Sequence, residues 1–77
     1  MSAIRFQKLD ARELIAQGIE PFPYIRAAVD AIEPGQGVNV VAPFLPSPLI
    51  EKLRSEGFQT RAERRRDGAW SVDFWRD

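Results

Sequence analysis

The chain contains no cysteine and no histidine. It therefore has no thiolate nucleophile, no persulfide carrier, no Cys/His zinc site and no serine–histidine or cysteine–histidine catalysis. Chemistry near neutral pH would fall to a perturbed carboxylate, to Lys8, Lys52 or Tyr24. Nor is there an excess of one charge: 11 basic residues balance 11 acidic ones. That balance argues against a generally basic nucleic-acid binder and against an acidic tail. No apolar run approaches the ~20 residues of a membrane span. The segment from Met1 to Phe6 lacks the apolar stretch of a signal peptide. Secreted domains this small generally rely on disulfides, so the absence of cysteine fits a reducing compartment. The expectation is a cytoplasmic, non-enzymatic protein with no cofactor, no metal and no membrane partner.

What is present is a 77-residue chain, 44% hydrophobic and 29% charged. That is one domain, residues 1–77, with enough apolar side chains for a core. A domain of this size holds a net stability of about 3–5 kcal/mol.

Proline and glycine divide the chain into clear segments. Residues 4–10 read as a strand in which Ile4 and Phe6 alternate with Arg5 and Gln7, until Leu9 shifts the phase. Residues 11–20 form a connection ending at Gly18-Ile19-Glu20, with room for a helical turn from Ala11 to Gln17. A helix opens near Pro21-Phe22-Pro23, where proline's missing N–H has no intrahelical partner in any case. Phe22, Ile25, Ala28, Val29 and Ile32 then form one apolar stripe, and Pro34-Gly35 stops the helix. Val38 to Ala42 reads as a central strand. Pro43, Pro46 and Pro48 enforce an extended loop. A second helix runs from about Pro48 to Glu56, buries Leu49, Ile50 and Leu53, and stops at Gly57. Phe58 to Arg66 and Ala69 to Arg76 read as strands joined at Asp67-Gly68. That dipeptide suggests a two-residue hairpin loop with positive φ at both positions. Trp70, Val72 and Phe74 share one face of the last strand; Ser71, Asp73 and Trp75 share the other.

The order is β-α-β-α-β-β. Two right-handed crossovers place both helices on one side of a four-stranded mixed sheet, an α/β (α+β) two-layer sandwich with one sheet face open.

That order, with the residues opening the first helix, resembles the TusA/SirA-like sulfur-carrier superfamily. In that family a first strand ends near Leu-Asp, Cys-Pro-x-Pro opens the first helix, and a Pro-Gly turn follows it. Here Leu9-Asp10, Glu20-Pro21-Phe22-Pro23 and Glu33-Pro34-Gly35 stand at those places. Pro46-Ser47-Pro48-Leu49 resembles the branch of the superfamily known only as a domain of unknown function (2249). The resemblance covers about residues 6–76 and implies a TusA-like fold. It does not carry the sulfur chemistry over, because the carrier cysteine aligns with Glu20 and a carboxylate forms no persulfide. The connection after Asp10 is a few residues longer than in the sulfur carriers. The Gly-Leu that precedes the family's cysteine has two counterparts here, Glu13-Leu14 or Gly18-Ile19.

The candidate sites follow from these features. Glu20, Pro21, Phe22, Pro23 and Tyr24 form a rigid corner where the carboxylate meets the unpaired N–H groups of a helix start. Glu20 reads as a simple cap, or as a recognition carboxylate or cation ligand joined by Asp10 and Glu13. Arg61, Arg64, Arg65 and Arg66 read as a solvated strand end that resists edge pairing, or as an RNA or phosphate patch. The fold is also similar to the C-terminal domain of translation initiation factor three, which binds RNA. Trp75 on the open sheet face marks an interface with a partner or a second copy of the chain. Phe44-Leu45, held between prolines, packs under the second helix or projects as a docking knob. The leading reading is a protein-interaction or regulatory module acting through the corner. The alternatives are nucleic-acid binding by the arginine hairpin, and small-molecule or cation binding near Glu20.

Overall fold

The computed structural model describes residues 3–76. Its elements are β1 (Arg5–Asp10), α1 (Ala11–Ala16), α2 (Phe22–Asp30), β2 (Gln36–Ala42), α3 (Ser47–Ser55), β3 (Gln59–Arg64) and β4 (Trp70–Trp75). The sheet has four strands in the order β1-β2-β4-β3. β1 runs parallel to β2, and β4 runs antiparallel to both β2 and β3. The expected two-layer α/β sandwich with a mixed sheet is therefore observed.

Among the described residues there are three helices rather than two, the added one standing where the sequence left room for a helical turn. α1 forms because Asp10 caps it: the Asp10 carboxylate accepts from the Arg12 N–H at 3.0 Å. Glu13 stands three residues after the cap, the spacing of a capping box. α1 and α3 end alike. In α3 the Phe58 N–H donates to the Leu53 carbonyl and the Gly57 N–H to the Arg54 carbonyl. In α1, Ile19 donates to Leu14 and Gly18 to Ile15. These are Schellman caps, and each needs a left-handed residue just past the helix, supplied by Gly57 at φ 96° and Gly18 at φ 74°.

Two local expectations are corrected. α2 ends at Asp30, before Pro34-Gly35. That dipeptide instead forms the centre of a turn in which the Gln36 N–H donates to the Glu33 carbonyl at 2.9 Å, so it starts β2 rather than stopping the helix. Asp67-Gly68 is not a two-residue loop with positive φ at both positions, since Gly68 alone has positive φ there. Arg65 and Ala69 still pair, through the Arg65 N–H and the Ala69 carbonyl at 2.8 Å, leaving a three-residue loop of Arg66, Asp67 and Gly68. The Asp67 carboxylate accepts from the Ala69 N–H at 3.0 Å. That bond holds the aspartate in ordinary backbone space and leaves the left-handed step to the glycine.

The core lies between the helices and one face of the sheet. Val38, Val40, Val72, Phe74 and Leu53 have no exposed area, and Ile25, Val29 and Leu49 close over them from α2 and α3. β1 contributes Leu9, while Phe6 stands on the opposite, open face. The register explains the choice, because Phe6 lies opposite Gly37, which lies opposite Trp75. The Phe6 ring rests on Gly37 and meets Trp75 edge to face, with centroids 6.0 Å apart. A methyl group at position 37 would fall 2.6 Å from the Phe6 ring and 2.7 Å from the Phe74 carbonyl oxygen.

Gly37→Ala is therefore expected to lower stability by about 1–3 kcal/mol, the usual cost of overpacking a filled site. Phe6→Ala added to it should recover only part of that loss, because the Phe74 carbonyl remains in the way. Urea midpoints of the three proteins measure this, and full recovery in the double variant would show that the ring alone sets the constraint.

Candidate functional site

The parallel strands β1 and β2 end at the same edge of the molecule, and both chain continuations turn away there. β1 passes into α1, and β2 passes into the proline loop that leads to α3. Clefts form where successive chain segments diverge from strand ends in this way. Here the cleft is an apolar groove of about 330 Å³. Its floor is core: Ala11, Ile25, Val40, Ala42 and Leu49 are all buried. Its walls are Ile15 of α1, Pro21 and Phe22 at the start of α2, Phe44 and Pro46 of the loop, and Pro48 in the first turn of α3. Glu20 and Lys52 are the charged residues lining it.

The corner thus divides. Glu20, Pro21 and Phe22 line the groove, whereas Pro23 and Tyr24 do not; Tyr24 is 53% exposed on the flank of α2. Neither α2 nor α3 carries a side-chain cap at its start, and each has proline in its first turn. Proline removes N–H groups that would otherwise need partners, so the helix starts remain open toward the groove without a capping side chain in the way. Phe44 is 57% exposed and Leu45 is exposed beside it. Of the two expectations for this pair, packing under the second helix is not observed. The residues project, and Phe44 forms one lip of the groove.

α1, which supplies a wall, is tied down by ions. Arg12 donates to both oxygens of Asp10, from Nε at 2.9 Å and from Nη2 at 2.8 Å, and reaches Asp67 of the hairpin at 3.1 Å. The Arg12 hydrogen bonds hold the Asp10 carboxyl below its ordinary value. Asp67 is lowered chiefly by the Ala69 backbone N–H, then by Arg65 and Arg12. Asp10 is thereby committed, and the carboxylates Asp10, Glu13 and Glu20 do not form a cation site. Among the described residues no group of three or more acidic side chains is placed to hold a metal ion.

Of the hairpin arginines, Arg61 stands apart from the other three. Arg61 lies on the open face, donates to Asp73 at 2.8 Å, and places its guanidinium carbon 5.9 Å from the Trp75 ring centroid. Arg64 pairs across the sheet with Trp70, in the alternation of the helix-facing side. Arg65 engages Asp67. Arg64, Arg65 and Arg66 border a broad hollow that Glu63 and Asp67 also line. Trp75 is half-buried, on the open face as its alternation required, with Phe6 against it. Across the same face the Asn39 amide donates to Ser71 at 2.8 Å and to Asp73 at 2.7 Å, so Asp73 serves both Asn39 and Arg61. Sequence reading missed the groove because its lining spans residues from Ala11 to Lys52. The available signal was the exposed Phe44 between prolines.

No helix among the described residues is long and apolar enough to cross a membrane. A protein family described as "Uncharacterized conserved protein (DUF2249)" matches residues 8–76. No curated protein and no solved structure matches the chain.

The Asp10–Arg12–Asp67 bridge sets a pH dependence. Both carboxyls are lowered on folding, so their contribution is complete well above the ordinary 3.8 and is lost as pH falls through the lower folded values. Arg12→Met should make the fall in urea midpoint below that pH shallower than in the wild type. Parallel curves would show that the bridge does not couple to folding.

Proposed function

The chain belongs to the family of uncharacterized conserved proteins DUF2249, and from that premise and the groove we propose that it is a non-enzymatic interaction or regulatory module. Its working surface is the groove at the α2 corner. The observation that carries this reading is an open apolar groove of about 330 Å³, floored by the core and rimmed by exposed Phe44, at the corner that the sequence singles out. Soluble domains keep few such apolar openings, and a small domain with little stability to spare keeps one against the cost of leaving it unfilled.

The resemblance to sulfur carriers fits this reading through the retained corner and Glu20. A carboxylate in the place of the carrier cysteine accepts hydrogen bonds and holds cations but forms no persulfide, so the corner recognises rather than transfers. The chain also lacks the cysteine and histidine on which most nucleophilic and acid–base catalysis at neutral pH relies. Nucleic-acid binding by the hairpin ranks lower, since Arg61 and Arg65 are paired with aspartates and the hollow beside them carries both signs of charge.

The test is retention of partners or ligands from a native lysate on the immobilised protein. Phe44→Ala, Phe22→Ala and Glu20→Ala are expected to lower specific retention about tenfold or more, as loss of a central anchor does. Trp75→Ala and Arg64→Ala should leave it unchanged, with or without ribonuclease. Loss confined to Trp75→Ala would move the working surface to the open sheet face. Loss only with ribonuclease would move it to the arginine hairpin.

A further inference from the structure

β3 is an edge of the sheet, with β4 on one side and no strand among the described residues on the other. Its register with β4 is unbroken from Gln59 to Arg64, and it holds no proline. The hairpin fixes which way its backbone groups point. The Arg65 N–H donates to the Ala69 carbonyl across the turn. Along an antiparallel strand the hydrogen-bonding direction alternates residue by residue. Arg61 and Glu63 therefore turn their N–H and C=O groups toward β4, and Thr60, Ala62 and Arg64 turn theirs outward. An unbroken edge of this kind is a template for another strand.

Charge often blunts such an edge, and a row of one sign repels every copy of itself. This edge carries both signs. Arg61 and Glu63 lie on the same, open face of the sheet, opposite Asp73 and Ser71, and both are exposed. Arg61 is held from the β4 side by Asp73 at 2.8 Å, and Glu63 has no ion pair among the described residues. Ala62 stands between them on the helix-facing side, opposite Val72, and is exposed as well, so no helix covers the middle of the strand. β1, the other edge, carries Arg5 and Lys8 with no acidic residue before Asp10, and so has no such alternation.

Two copies can meet antiparallel along β3 about a two-fold axis, the closed arrangement in which each offers the other the same surface. An axis through Ala62 pairs all three outward residues: Ala62 with Ala62, and Thr60 with Arg64 twice. Arg61 of each copy then falls opposite Glu63 of the other, in the non-hydrogen-bonded pairs where side chains come closest. Moving the axis by one residue opposes Arg61 to Arg61 or Glu63 to Glu63, which is repulsive. The charges thus favour one register and penalise its neighbours.

We propose that β3 is a self-pairing edge, through which two copies of this chain join, centred on Ala62, into one continuous sheet with both helical layers on the same side. This surface is separate from the groove. Because the pairing is antiparallel, the two grooves open at opposite ends of the joined sheet.

A single short strand makes a small interface, at the weak end of specific association. The experiment therefore follows sedimentation velocity of the intact protein from about 10 µM to about 1 mM, together with amide hydrogen exchange. A reversible dimer is expected, with exchange at Thr60, Ala62 and Arg64 slowing as concentration rises. Ala62→Pro removes an outward N–H and no bond to β4, and should weaken the dimer about tenfold or more while the protomer stays folded. Glu63→Arg sets like charges opposite each other twice and should do the same. Glu63→Arg mixed with Arg61→Glu, each self-repelling, should restore a one-to-one pair, and amide spectra report the folding of every variant. A protein that remains monomeric at the highest concentration overturns the proposal and leaves the edge to a strand of another protein. A dimer that survives either Ala62→Pro or Glu63→Arg also overturns it, and loss on Trp75→Ala instead would place the contact on the open face. Failure of the folded mixture to pair overturns the register centred on Ala62.

Discussion

The fold depends on burying β2 on both faces although only one face has helices over it. On the helical side this is ordinary packing, with Val38, Val40 and Ala42 under α2 and α3. On the other side there is no second layer, yet Gly37 is buried and Val41 has no exposed area. Side chains lying along the sheet close that face. Phe6 lies over Gly37 at one end. Asn39, Ser71, Asp73 and Arg61 form a hydrogen-bonded line across the middle. Val41 sits in the row that begins at Asp10, where the Arg12 bridge runs toward the hairpin. The second face is sealed with a single thickness of side chains.

The groove arises from the same economy. Where β2 ends, the helices that cover its middle have already started or not yet begun, so the core surfaces between α1, the start of α2 and the proline loop. Prolines at the starts of α2 and α3 fix the chain direction there without adding N–H groups. The opening is thus a rigid product of where the elements begin, and Glu20 and Lys52 mark its edge. This separation leaves the strand-end edge uncovered while side chains close the open sheet face.

Much of this was legible in the residues themselves. The apolar stripe of α2, the β-branched run of β2, Gly57 as the stop of α3 and the alternation that turns Trp75 away from Val72 and Phe74 all depend on local geometry. The failures have physical causes. The six residues of α1 are too few to show a periodic apolar stripe, so Ala11 to Gln17 read only as room for a helical turn, and the Asp10 cap makes the segment a helix. Pro34-Gly35 and Asp67-Gly68 were assigned by their dipeptides, while the turns were decided by which carbonyl or carboxylate each amide reached. The face taken by Phe6 depended on a glycine thirty-one positions later in sequence and adjacent only in the sheet. The four arginines look like one patch along the chain, but strand alternation sets Arg61 on the open face, apart from Arg64, Arg65 and Arg66, which share a hollow with Glu63 and Asp67. The groove draws on several elements at once, and no local pattern announces it.

The strand order bears on how the chain acquires its shape during synthesis. β4 is the last of these elements to be made, yet it lies between β2 and β3. Until it emerges from the ribosome, β3 has no neighbour in the sheet and β2 has one bare edge. The Arg12–Asp67 link, which spans 55 positions, also waits for the hairpin. Helices of six to nine residues are marginal alone, so the earlier segments depend on β4, which joins β2 to β3, for a sheet to pack against. A nascent chain halted before Trp70 would carry the groove's parts without the sheet that holds them in register, and β2 would remain open to pairing with another unfinished chain.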